Sequence, residues 1–183
     1  IVEEEILKPL NPYGESKLKT ENFLIDNQDK FKYTILRYFN VAGADQKLRT
    51  GLISKEPTHL IKILSEVAVG KKEKIFIFGN DYNTKDGTAI RDYIHVSDLA
   101  NIHLKVAKYL LTIKESNIFN CGYGRGYSVQ EVIDEGNKLT GNKIKFEYAN
   151  RRIGDAEKLV SNIEKISKHI NYKPKFNNLS LIL

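Results

Sequence analysis

Two side chains with clear chemical potential, Tyr13 and Lys17, stand four residues apart in a segment that reads NPYGESK. On a helix this spacing puts both on one face, within reach of a common ligand. A phenol with an ordinary pKa of about 10 is a poor base at neutral pH. A neighbouring ammonium favours its ionised form, and the cationic ring of a bound cofactor would favour it further. The pair predicts a proton-transfer site, although the same spacing is common on amphipathic helices.

Two further segments give this pair a context. The sequence RYFN, residues 37–40, ends a predicted strand 20 residues after Lys17. Ligands of open α/β sheets bind where parallel strands end. Residues 78–100 then read FGNDYNTKDGTAIRDYIHVSDLA. Within them Arg91 could bind an anion or pair with a nearby aspartate, and His95, between two apolar residues, is most simply a buried, hydrogen-bonded histidine.

The elements that must position these residues alternate between helix and strand, as in an α/β protein. Ser128 and Glu131 form a capping box that starts a helix ending near Gly141. We also expect Ser97 to cap a helix, and Ser161 with Glu164 to form a second capping box. The glycines of residues 122–126 favour a turn over a phosphate loop. The predicted helices are residues 13–27, 59–69 and 98–110, and the predicted strands are residues 33–39, 75–78, 92–96, 118–121 and 143–148.

Composition narrows the classes of function. The 183 residues are 41% hydrophobic, enough for one domain or a domain and a half, and no apolar run is long enough to cross a membrane. Cys121 is the only cysteine, which excludes an intrachain disulfide and favours a cytoplasmic location. The net charge is +6, and the basic residues are 23 scattered lysines and only 6 arginines. This composition favours a small acidic ligand such as a nucleotide sugar over nucleic acid. The four histidines lack metal-site spacing, so we expect no metal.

In their order and spacing, the segments around Tyr13, Asn40 and residues 78–100 resemble the extended short-chain dehydrogenase/reductase family, in particular its UDP-glucose 4-epimerases. The similarity covers nearly the whole chain, and residues 78–100 are its most specific part. The resemblance implies NAD as cofactor and UDP-glucose and UDP-galactose as substrates. It also implies epimerisation at C4 through a 4-keto intermediate, a role in galactose metabolism, and a homodimer for the full-length protein, with no membrane or nucleic-acid partner.

The resemblance also implies a role for individual residues. Tyr13 matches the catalytic base and Lys17 the lysine that holds the nicotinamide ribose, while Tyr38 and Phe39 match the nicotinamide lining. The remaining matches concern the UDP-sugar. They are Asn40 on the diphosphate, His59 and Leu60 at a helix start that meets the diphosphate, Ile77 and Phe78 around uracil, Arg91 and Arg152 on the phosphates, and Asp155 on the uridine ribose. His59 could equally be a helix cap, a more common role at such a position.

The sequence departs from the family pattern in several places. The glycine-rich dinucleotide turn and the serine or threonine that works beside the tyrosine are not found in it, and Lys62 stands where a proline is expected. Leu159 lies at a position where the size of the side chain varies in the family with sugar selectivity. A leucine, of intermediate size, does not decide whether N-acetylated sugars are accepted. We therefore expect a C-terminal fragment, inactive by itself. Two alternatives stay open, namely a decarboxylase or dehydratase of the same family and a truncated, non-enzymatic remnant.

The predicted fold is α/β, a partial Rossmann-type doubly wound sheet with a smaller α/β nucleotide-sugar-binding domain. Residues 1–46 are assigned to the C-terminal part of the cofactor domain, and the resemblance suggests that residues 91–121 return to its sheet. Residues 47–183 are assigned mainly to the UDP-sugar domain.

Overall fold

The computed structural model describes residues 1–183 and contains six helices and eight strands. The helices are α1 Pro12–Asp26, α2 Leu60–Ala68, α3 Val96–Ile113, α4 Val129–Thr140, α5 Glu164–Ile170 and α6 Leu179–Ile182. The strands are β1 Thr34–Tyr38, β2 Asn40–Ala42, β3 Ile75–Phe78, β4 Ile90–His95, β5 Asn117–Cys121, β6 Gly126–Ser128, β7 Phe146–Ala149 and β8 Lys158–Leu159. None of the helices combines the length and apolarity needed to cross a bilayer.

The first extended segment changes partner halfway along its length. β1 pairs in parallel with β5, and the N–H of Phe39 donates to the carbonyl of Cys121. The next three residues form β2, which pairs in parallel with β4. Parallel pairs need crossover connections, and the helices α2 and α3 lie in them. The predicted α/β class is confirmed, whereas the division into two domains near residue 46 stays a prediction.

The later strands pair with β4 and β3. β4 pairs with β6 in antiparallel and with β8 in parallel orientation, so Arg91 lies opposite Tyr127 and Leu159. β3 pairs in parallel with β7, which places Phe78 opposite Ala149 at the start of the loop 150–155. The loop that carries Arg152 and Asp155 therefore begins beside the end of β3.

Two apolar clusters support these strands. One lies between α2, α4 and β3 and contains Leu64, Ile77 and Ile133, each at most 4% exposed. The other lies between α3, α5 and β5 and contains Ile102, Phe119 and Ile166, which are fully buried. By contrast, α1 has no buried residue.

Side chains cap the N-termini of α1 and α4, and at α4 this confirms a capping prediction. Asn11 accepts a hydrogen bond from the N–H of Gly14 at 2.8 Å, and Pro12 begins α1, where its missing N–H costs nothing. Ser128 and Glu131 form the predicted capping box of α4, which ends at Gly141 in the left-handed conformation.

Two other capping predictions are wrong. Ser97 does not cap α3, because the helix begins at Val96, two residues earlier than predicted, and the Nδ1 atom of His95 accepts the N–H of Ser97. Ser161 does not form a capping box, because its hydroxyl donates to the buried carboxylate of Asp92. α5 begins after Ile163 without a side-chain cap. Two strand bounds also shift, since β4 begins at Ile90 and β7 covers only 146–149.

Candidate functional site

The first two turns of α1 present Tyr13 and Lys17 together, as their spacing predicts. The Nζ atom of Lys17 lies 5.1 Å from the centroid of the Tyr13 ring, over its face. The tyrosine is 71% exposed, so its hydroxyl is accessible to a ligand. An accessible phenol with an ammonium beside it can exchange a proton with a bound hydroxyl.

An ion pair that the sequence analysis missed anchors this helix against the sheet. Arg37, on β1, donates to the carboxylate of Glu21, on α1, through Nε at 3.0 Å and Nη2 at 2.6 Å. The two side chains are only 18% and 14% exposed. Because Glu21 is one turn beyond Lys17, the pair holds the helix beside the end of β1. The sequence indicates this pair only through Arg37, the one charged residue of β1.

Tyr38, Phe39 and Asn40 lie where the chain passes from β1 to β2. Tyr38 is 53% exposed, and its ring centroid is 6.3 Å from that of His103 on α3. Asn40 is exposed at the start of β2, opposite Tyr93. These side chains share the strand end that Arg37 ties to α1.

The structure brings Arg91 and Asp155 into direct contact although they are 64 residues apart. The Nη2 atom of Arg91 donates to Oδ1 of Asp155, and Nη1 donates to the carbonyl of Ile90 at 2.8 Å. The arginine side chain is 10% exposed and the aspartate side chain 31%. The pairing of Arg91 with a nearby aspartate is confirmed, whereas its binding of a phosphate stays a prediction.

Two neighbouring arginines of the loop 150–155 lie over aromatic rings. The guanidinium carbon of Arg152 is 3.9 Å from the ring centroid of Phe78, and that of Arg151 is 4.0 Å from the ring centroid of Tyr82. Arg151 also donates to Asp81 at 2.6 Å, and this bond lowers the pKa of the aspartate. Arg151 and its partners were not predicted, although residues 81–82 belong to the most specific segment.

A close approach joins this loop to the start of α1. A side-chain carbon on Gly154 would lie 3.4 Å from Cβ of Leu10 and 3.6 Å from its carbonyl oxygen. Leu10 precedes the cap of α1 by one residue. The tyrosine helix and the loop that carries Arg152 and Asp155 are therefore adjacent.

The other predicted UDP-sugar residues are placed less directly. His59 occupies the cap position of α2 but makes no capping bond with its side chain. α2 packs on β3, and a short connection of six residues joins the end of the helix to the start of the strand. The two elements therefore run in opposite directions, and the start of the helix, at Leu60, lies towards the end of β3 that carries Phe78. Ile77 is 1% exposed in the apolar core, so only its backbone could face a ligand. No hydrogen bond joins these residues to Arg91 or Asp155.

Much of the specific segment 78–100 is structural. The fully buried carboxylate of Asp92 accepts the N–H groups of Tyr123, Gly124 and Ser161 at 3.0–3.2 Å. Asp98, 1% exposed, accepts the hydroxyl of Tyr123 at 2.6 Å. Burial and this bond raise the pKa of Tyr123. The glycines near residue 124 thus wrap an internal carboxylate, in a turn as predicted.

His95 is buried and hydrogen-bonded, as predicted. It is 3% exposed and stacks on Phe176 with ring centroids 4.0 Å apart, and burial lowers its pKa. The edge of its ring fills the space beside Gly43, where a side-chain carbon would come within 2.3 Å of Cδ2. His95 therefore packs under the turn that follows Asn40. No group of three histidine, cysteine or acidic side chains is arranged to hold a metal ion.

Comparison with known proteins adds independent information to this geometry. Residues 1–122 match the NAD dependent epimerase/dehydratase family. A UDP-glucose 4-epimerase of Azospirillum brasilense is 45% identical over 177 residues, which are 96% of this chain and 51% of that protein. The chain thus spans about half the length of the curated relatives it matches.

Solved structures of similar proteins superpose closely on this fold. A UDP-glucose 4-epimerase from Stenotrophomonas maltophila, with bound NAD and formylated UDP-arabinopyranose, matches with a TM-score of 0.95 and 32% identity. A UDP-glucose 4-epimerase from Bifidobacterium longum, in complex with NAD+ and UDP, matches with a TM-score of 0.93 and 36% identity. Each match covers all of this chain and 55% of the other.

Proposed function

Because the chain belongs to the NAD dependent epimerase/dehydratase family, we propose that it forms the proton-transfer and UDP-sugar-binding part of a UDP-glucose 4-epimerase. The reaction is the interconversion of UDP-glucose and UDP-galactose, and the enzyme is an isomerase of galactose metabolism. The observation that carries the proposal is the convergence of distant segments. Arg91 pairs with Asp155, and the same loop lies against Leu10 at the start of the helix that bears Tyr13.

In this proposal Tyr13 is the base. As a phenolate, the exposed Tyr13 oxygen accepts the proton of the C4 hydroxyl when the sugar is oxidised, and it returns a proton when the hydroxyl forms again on the other face. Lys17, whose Nζ atom lies 5.1 Å from the centroid of the tyrosine ring, is placed to contact the same ligand as Tyr13. The rest of the ligand must stay bound while the sugar turns, and binding energy remote from the reacting carbon does this.

The basic and acidic groups near Phe78 suit a nucleoside diphosphate. Arg91 and Arg152 supply guanidinium groups that match phosphate oxygens, and the Asp155 carboxylate can accept hydrogen bonds from ribose hydroxyls. The start of α2, near Leu60, offers unpaired backbone N–H groups to an anion. Asn40, at the start of β2, can bond the diphosphate with its amide.

The residues present also fit one end of NAD. Tyr13 and Lys17 offer a hydroxyl and an ammonium to the nicotinamide ribose, and the exposed Tyr38 ring with Phe39 offers an apolar surface to the nicotinamide. When bound, NAD supplies the oxidising and reducing capacity of the cycle. We further propose a cytoplasmic location and a homodimer for the full-length protein. The helix α1, which has no buried residue, is available to a partner.

The experiment is a hybrid in which this chain replaces the matching half of the Azospirillum brasilense relative. Conversion of UDP-galactose to UDP-glucose is measured, with bound NAD and retained UDP binding as evidence of folding. We expect turnover, reduced by about three orders of magnitude or more in Tyr13→Phe because the base is lost.

Tyr148→Phe is the matched control, since Tyr148 is 50% exposed on β7 and has no predicted role. A hybrid that binds both ligands but does not convert the sugar would contradict the proposal, and so would near-normal turnover in Tyr13→Phe.

A further inference from the structure

Arg152 lies on the ring of Phe78, a residue that the family resemblance assigns to the surroundings of the uracil base. Its guanidinium carbon is 3.9 Å from the ring centroid of Phe78, the distance at which a flat group stacks on an aromatic face. Phe78 is half-buried at the end of β3, which limits the area of its ring open to a ligand. A base that stacks on this face must take the place of the guanidinium.

Arg152 is also held more weakly than the arginines around it. Arg91 is ion-paired with Asp155, and Arg151 with Asp81. Arg152 takes part in no salt bridge and its side chain donates no hydrogen bond, so the contact with Phe78 is its main side-chain interaction. Such a contact at an exposed site changes an equilibrium only about two- to five-fold. The guanidinium can therefore leave the ring at small cost once an anion offers it an ion pair.

These observations distinguish ligands that carry phosphate from ligands that do not. A phosphate group can attract Arg152 away from Phe78, so that the arginine gains a charged partner while the base gains the ring. A nucleoside without phosphate offers no such compensation and must compete with the guanidinium for the ring. We propose that Arg152 is a specificity-determining residue that occupies the base-binding face of Phe78 and selects nucleoside diphosphates over nucleosides. This inference rests on the proposed function.

The test compares two ligands on the 183-residue chain. UDP binding is measured by calorimetry, and binding of 5-fluorouridine by fluorine NMR, which follows weak binding. In Arg152→Gln we expect the dissociation constant of UDP to rise about ten-fold, because a charged partner is lost. We expect that of 5-fluorouridine to fall about two- to five-fold, because the competitor on Phe78 is removed. Arg152→Lys, which keeps the charge but not the flat group, should improve nucleoside binding and keep most of the UDP affinity.

Arg151→Gln is the matched control, because Arg151 lies over Tyr82 in the same loop but has no assigned ligand. It should leave both dissociation constants unchanged, and circular dichroism verifies the fold of each variant. Opposite shifts for the two ligands in Arg152→Gln alone would support the inference. A nucleoside affinity that stays the same or falls in Arg152→Gln would overturn it while the proposed function stands. A wild-type chain that does not bind UDP would overturn the proposed function, and this inference with it.

Discussion

Substitution of Asp92 by asparagine tests how far the segment 78–100 is structural. The carboxylate is fully buried, and its two oxygens have different partners. Oδ2 accepts the N–H groups of Gly124 at 3.1 Å and Ser161 at 3.2 Å, together with the Ser161 hydroxyl. Oδ1 accepts the N–H of Tyr123 at 3.0 Å. The carboxylate thus joins β4 to the turn after β5 and to the segment before α5.

The expected cost follows from these bonds. An asparagine has one acceptor oxygen, and with this oxygen at the Oδ2 position three bonds remain. Its NH₂ group then faces the N–H of Tyr123, so one charge-assisted bond, about 1.5–3 kcal/mol, is lost and a donor is left without a partner, about 1–3 kcal/mol more. Removal of a buried charge returns part of its desolvation cost. We expect a net loss of about 2–4 kcal/mol in the free energy of unfolding.

Urea unfolding followed by far-UV circular dichroism measures this loss. Asp81→Asn is the control, because the Asp81 side chain is 69% exposed and its bond to Arg151 lies at the surface. The control should change the unfolding free energy by less than about 0.5 kcal/mol. A loss below about 1 kcal/mol in Asp92→Asn, or equal losses in the two variants, would refute the assignment of Asp92 as the centre of a buried network.

Three further predictions follow from contacts around the site. Gly43→Ala should cost about 2–3 kcal/mol of unfolding free energy, because Gly43 has φ +79° and the new methyl would meet His95 at 2.3 Å. The control is Gly141→Ala, which also has a positive φ but open space around it and should cost less in the same urea assay. Burial lowers the pKa of His95, so the unfolded chain binds more protons below about pH 6.5 and stability falls as the pH falls through that range. His95→Gln should flatten this pH dependence, and an unchanged slope would contradict the assignment. Arg91→Ala and Asp155→Asn should each weaken UDP binding about ten- to hundred-fold in calorimetry, and wild-type affinity in both would refute their proposed role.

The sequence alone determined those features that depend on neighbours within four residues along the chain. Asn11 and Pro12 specify the start of α1, since an accepting amide and a residue without N–H both satisfy a helix N-terminus. Ser128 with Glu131 specifies the start of α4 in the same way. The spacing of Tyr13 and Lys17 sufficed to place them on one face. The resemblance assigned their roles and those of the UDP-sugar residues, which stay predictions.

The tertiary structure decided which polar groups became each other's partners. Ser161 fits a local capping box, yet its hydroxyl serves Asp92, because a buried carboxylate must be satisfied by whatever donors the fold brings near it. The pairing of Arg91 with Asp155 and the position of Arg152 over Phe78 likewise depend on strands that meet only in the folded chain. Local propensity carries no information about such contacts, since they join segments more than 60 residues apart. These contacts nevertheless decide how the candidate site is built.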